Sequence, residues 1–112
     1  MAKFVKGDVV VIPFPFSDLS QSKRRPALVL AVLQGDDLIL CQITSKSIKD
    51  NYAIPVDEND FESGSLNQES NIRPNRLFTA DNPIILYRIG NIKIIKLNQV
   101  IDKVVEIIKE KI

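Results

Sequence analysis

The chain has no histidine, no tryptophan and a single cysteine, and its 15 basic residues outnumber its 14 acidic ones by one. Each shortage removes a class of function. Without histidine, and with Cys41 alone, the donor set for a zinc or other transition-metal centre is missing, so no metal and no cofactor are expected. One cysteine also excludes a disulfide framework within the chain. Its place inside an apolar run marks Cys41 as a packing residue rather than a reactive thiol. A net charge of +1 gives no bulk attraction to nucleic acid, so any site for a polyanion is a local patch. No apolar stretch is long enough to cross a membrane and no leader pattern is seen, which makes a cytoplasmic location the expectation. Aromatics are few, five phenylalanines and two tyrosines, so any base-stacking surface has little to draw on.

What is present fits one domain over residues 1–112, with ordinary apolar and charged fractions of 45% and 26%. GDVVVIPFPF predicts a strand from Asp8 to Phe16, its end made irregular by Pro13 and Pro15. SDLSQSKR is a polar loop. PALVLAVL predicts a second strand with Pro26 at its first position, QGDD a hairpin turn, and LILCQITS the returning strand. YAIPV is a short fourth strand. From Asp57 to Glu69 the chain turns acidic without regular periodicity and reads as a solvated loop. SNIRPNRLFTAD follows, and IILYRIGNI is compatible with a further strand. Leu97, Val100, Ile101, Val104, Val105 and Ile108 recur at helical spacing, giving an amphipathic helix to about Lys111. Short strands closed by one helix predict a mainly β fold, a small curled sheet or barrel with the helix packed on it.

Three stretches concentrate polar chemistry. In SKRRPALVL, the cations Lys23, Arg24 and Arg25 stop at a proline that biases Arg25 to an extended backbone. A guanidinium held at a strand entrance suits phosphate oxygens, although the same cations equally guard a sheet edge against aggregation. In CQITSK, Thr44 and Ser45 end an apolar strand before Lys46; their hydroxyls suit a phosphate or loose backbone groups. In SNIRPNRLF, Arg73 precedes a proline as Arg25 does, with Asn75 and Arg76 beyond it. The hairpin puts Arg25 and Thr44 at one end of the sheet. If the third stretch packs beside them, the cations converge on one rim.

With KGDVVVIPF ahead of them and the amphipathic helix behind, these stretches resemble, in order and spacing, the MazF/PemK (Kid) group of type II toxins. The resemblance spans nearly the whole chain. It implies a small SH3-like β-barrel that forms a homodimer and acts as a metal-independent endoribonuclease on single-stranded RNA, neutralised by a cognate antitoxin. It carries the family's catalytic arginine and hydroxyl onto Arg25 and Thr44, and a further arginine onto Arg73. Lys23, Arg24, Ser45, Lys46, Asn75, Arg76 and Phe16 are then substrate-binding candidates, with Phe14 and Phe16 available to stack a base. One departure stands out. The acidic position of the PemK-type site is Asn75 here, which leaves the general base open, with Asp18 and Glu69 as candidates. Two other readings share the fold: a non-catalytic RNA-binding module, which Asn75 favours, and a CcdB-like gyrase poison, which has no need of convergent phosphate ligands.

Overall fold

The computed structural model describes residues 3–14 and 23–110. Seven strands, β1 (Asp8–Phe14), β2 (Lys23–Val32), β3 (Asp37–Thr44), β4 (Ile54–Val56), β5 (Phe61–Gly64), β6 (Ser70–Asp81) and β7 (Tyr87–Ile92), precede one helix, α1 (Ile94–Lys109). All seven belong to one antiparallel sheet in the order β4-β6-β3-β2-β1-β7-β5, curled into a half-barrel. The mainly β expectation with a C-terminal helix therefore holds.

Strand alternation divides the apolar residues between two faces. Val9, Leu28, Cys41, Ile43, Ile72 and Ile54 point to one side, where Leu97 and Val100 of α1 complete a buried cluster. Val10, Ile12, Ala27, Val29, Leu38 and Leu40 point to the other, packed by Phe4, Phe78 and Ile85. Cys41 is fully buried, and desolvation pushes its thiol up to about 12, so it is an inert core residue. Asp8 is buried too. It accepts hydrogen bonds from Val5 N (2.8 Å) and Asn91 Nδ2 (2.9 Å) and lies 3.7 Å from Arg88, tying β1 to β7.

The β2–β3 hairpin closes as its sequence predicts. Leu33 N donates to Asp37 O at 2.9 Å, and Gly35 takes a positive φ of 76° in the turn. Four boundaries differ from expectation. The second strand begins at Lys23, so Pro26 is inside it; pairing with β3 starts only at Ala27↔Gln42, and the overhanging segment needs no donor on that side. The acidic stretch is not all loop. Asp57 caps a 3-10 turn over Glu58–Asp60, and β5 follows, an edge strand whose single buried apolar residue, Phe61, left no alternation to read. Residues Asn82–Ile84 form another 3-10 turn, so the last strand starts only at Tyr87. The helix starts at Ile94, earlier than its periodic stripe, because Ile94 and Ile95 are largely exposed and fall outside the buried stripe.

Candidate functional site

The overhang of β2 is where the site begins. Lys23 and Arg24 are exposed there, and Arg25 is half-buried opposite Ile12 of β1. Two residues further, Ala27 pairs with Gln42 of β3, and Gln42 pairs on its other side with Arg73 of β6. Thr44 lies two residues past Gln42 and pairs with Asn71. Residues directly opposite share a face of a sheet, as do residues two apart along a strand. Arg25, Gln42, Thr44, Asn71 and Arg73 therefore share one face of three adjacent strands, continuing the face that carries Val10, Ala27 and Leu40. Neither helix α1 nor its buried cluster lies on this side.

The connection between β3 and β4 is fastened to this rim. Thr44 Oγ1 accepts from Lys46 N at 3.1 Å, which uses a lone pair and leaves the hydroxyl proton free to donate. Asn71 Nδ2 donates to Lys46 O at 3.1 Å. Ser45 and Lys46 are exposed, and Ser45 opens on a groove of about 550 Å³ shared with Asn71, Asp60, Glu69 and Lys96. Lys96 Nζ crosses to Pro55 O (3.1 Å) and Asp60 Oδ1 (3.7 Å), joining α1 to β4 and the capped turn.

Arg73 is largely enclosed, its side chain 18% exposed. Its Nη2 donates to Asp50 Oδ2 at 3.5 Å, and its buried Nε has no hydrogen-bond partner among the described residues. Asp50 Oδ1 accepts from Tyr52 N (2.9 Å) and Ala53 N (3.0 Å). Those backbone donors, Tyr52 first, together with the Arg73 guanidinium, hold the Asp50 carboxyl below its ordinary range against a smaller opposing effect of burial. Arg25, by contrast, makes no ion pair among the described residues.

Asn75 and Arg76 are on a bulge. The β3–β6 register passes from Cys41↔Leu77 directly to Gln42↔Arg73, so Pro74, Asn75 and Arg76 stand out of the ladder. Pro74 turns inward and is buried, which leaves Asn75 and Arg76 exposed. Glu69 lines the groove with Asp57 and Asp60. Phe16 and Asp18 lie outside the described residues, as does the side chain of Phe14. Sequence reasoning missed Gln42, Asp50 and Asn71. Gln42 had a signal, being two residues before Thr44 in a strand. Asp50 had none, since its partner is 23 residues away on a strand whose register is set by the bulge.

Comparison with known proteins agrees with the fold and adds a family. The model of the PemK-like, MazF-like toxins of type II toxin–antitoxin systems matches residues 5–108. A mycobacterial endoribonuclease solved in complex with its cognate antitoxin superposes with a TM-score of 0.73 at 11% identity, covering 98% of this chain and 99% of that one. The Mycobacterium tuberculosis toxin MazF-mt6 superposes with a TM-score of 0.67 at 16% identity, covering 88% and 92%. At these identities the superpositions speak for the fold alone. No curated protein matches the sequence.

Proposed function

We propose that this chain, which belongs to the PemK-like, MazF-like toxins of type II toxin–antitoxin systems, is an endoribonuclease that cuts single-stranded RNA through the substrate's own 2′-hydroxyl. The observation that carries the reading is the shared face of Arg25, Thr44 and Arg73 on adjacent strands, at the end where β2 overhangs its neighbour. In such a cleavage the 2′-oxygen attacks phosphorus, the bond to the 5′-oxygen breaks, and a cyclic phosphate remains. One proton leaves the 2′-hydroxyl and another reaches the 5′-oxygen.

The protein needs no nucleophile of its own for this step, and the chemistry calls for no metal ion. Its task is to hold the phosphodiester in line and stabilise charge on the phosphorane. Arg25 does this best, because a guanidinium stays cationic and presents paired donors. Thr44 adds a neutral donor, its oxygen held in place by the bond it accepts from Lys46 N and its proton free. Arg73 clamps the same phosphate from β6. Lys23, Arg24, Ser45, Lys46, Asn75 and Arg76, all exposed around this rim, line the path of the flanking nucleotides. With no histidine in the chain and asparagine at position 75, the proton transfers fall to a carboxylate or to water.

The test is incubation of purified protein with a long single-stranded RNA in EDTA, followed by mass analysis of the ends. Fragments carrying cyclic or 3′-phosphates are expected. Arg25→Ala should lower the rate roughly a hundred- to a thousand-fold while the thermal melt stays put. A melt that collapses with the activity would make Arg25 a structural residue, and RNA that is bound but intact would make the chain a binding module. The toxin acts in this reading as a cytoplasmic homodimer, and a cognate antitoxin silences it by covering the same cationic face with acidic and apolar groups.

A further inference from the structure

Arg73 holds a conformation that it has a reason to leave. A guanidinium stays charged, so enclosing it requires a counter-charge, and its buried Nε donates to none of the described residues. Turning outward would give that N–H to water. Something must therefore hold the side chain in, and the described residues offer one candidate. Asp50 Oδ2 meets Arg73 Nη2 at 3.5 Å from the β3–β4 connection.

Asp50 is itself well placed to impose a position. Its Oδ1 is pinned by two backbone donors, Tyr52 N and Ala53 N, so the carboxylate cannot swing without breaking both bonds. The connection that carries it is fastened at its other end by Asn71 Nδ2 to Lys46 O. Asn71 and Arg73 are alternate residues on one face of β6, and each holds one part of the same connection. The Arg73 contact is long for a charge-assisted hydrogen bond, so Asp50 steers the guanidinium without saturating it.

Resting on the ribonuclease reading above, we propose that Asp50 is a positioning residue: it draws Arg73 inward and sets where the remaining edge of the guanidinium meets the RNA phosphate. It is not the general base. Two backbone N–H groups and Arg73 stabilise its ionised form, which makes it a poor proton acceptor near neutrality. A carboxylate close to the phosphate site thus acts through Arg73 and not on the 2′-hydroxyl.

Asp50→Asn separates this role from that of a mere turn residue, because the amide oxygen can still accept from Tyr52 N and Ala53 N while the charge is gone. Steady-state cleavage of one single-stranded RNA should be compared for the native protein, Asp50→Asn, Arg73→Gln and the double variant, with a melt for each. Asp50→Asn should lower kcat by about tenfold or more with KM within about twofold, while the protein stays folded with a melt lowered only by the loss of the charge. In the Arg73→Gln background it should cost nothing further. An unchanged kcat, or the same loss with Arg73 already replaced, overturns the proposal. A second readout needs no activity. The Asp50 carboxyl, titrated by carbon-13 NMR, should rise part of the way toward its usual range in Arg73→Gln, and a titration that does not move overturns the pairing. Native protein that leaves RNA intact would refute the ribonuclease reading, and the titration would then decide alone whether Asp50 sets Arg73.

Discussion

Asp37 and Asp81 face each other directly across β3 and β6, with Asp36 beside them. The hydrogen bond to Asp81, then the negative charge of Asp81, then burial and the charge of Asp36, all raise the Asp37 carboxyl above its ordinary range. A carboxylate whose folded value is raised holds its proton more tightly in the folded state. It therefore costs stability once pH exceeds the folded value, and the cost fades as pH falls to the unfolded one. Asp37→Asn should accordingly stabilise the protein near neutrality and lose that advantage at about pH 4. Denaturant midpoints of both proteins at the two pH values check this; an equal difference at both would mean that repulsion is not the cause. Asp50 has the opposite sign, its stabilisation present near neutrality and lost as pH falls through its depressed value. The two aspartates also show what a sequence displays at this scale. Arg25 and Thr44 were legible as rim partners because a hairpin makes them neighbours. Asp50 and Arg73 were not, since no local rule says which loop carboxylate a distant strand will meet.

At the scale of elements, the least legible part was the edge formed by β5 and β7, and the reason is a backbone contact. Gly64 pairs with Gly90, and a Cβ built at Gly90 would run into the Ser63 carbonyl oxygen and the Gly64 Cα. At that pair the strands approach so closely that side chains are excluded, which interrupts the alternation by which strands are read. Gly90→Ala should force β5 away from β7 and cost about 1–3 kcal/mol, the range for overpacking. Gly35→Ala is the control. Its φ of 76° also disfavours a side chain, but nothing lies within 4 Å, so its cost should stay near about 1 kcal/mol. Gly90 carries no positive φ, so its cost rests on the strand contact alone. Urea melts decide the matter, and a Gly90→Ala loss no larger than that of Gly35→Ala would mean the strands separate at little cost. The stretches that sequence did resolve, β1 to β3 and the packed part of α1, are those where burial of one face imposed a period. Even there the bulge at Pro74–Arg76 escaped notice, because a bulge is visible only against the partner strand's register.

For the molecule as a whole, the two apolar clusters do not use up its apolar surface. Val32, Leu33, Ile84, Leu86 and Tyr87 are each 40–50% exposed around the hairpin turn and the start of β7, and Ile94, Ile95 and Ile108 are 63–80% exposed on α1. Exposed apolar residues in such groups mark surfaces that other chains cover. One such group would suit the second copy in the homodimer proposed above. The proposed homodimer makes a thermodynamic claim that a monomer does not. Folding coupled to association gives a melting midpoint that rises with protein concentration, because dilution favours the unfolded chain by mass action. Sedimentation equilibrium should return twice the chain mass at about micromolar concentration, and the melt should shift upward over a hundredfold concentration series. A single-chain mass together with a concentration-independent melt would remove the dimer. The proposed phosphate-binding face would then have to be complete within one chain, made by the overhang of β2, the end of β3 and the bulged strand β6 alone.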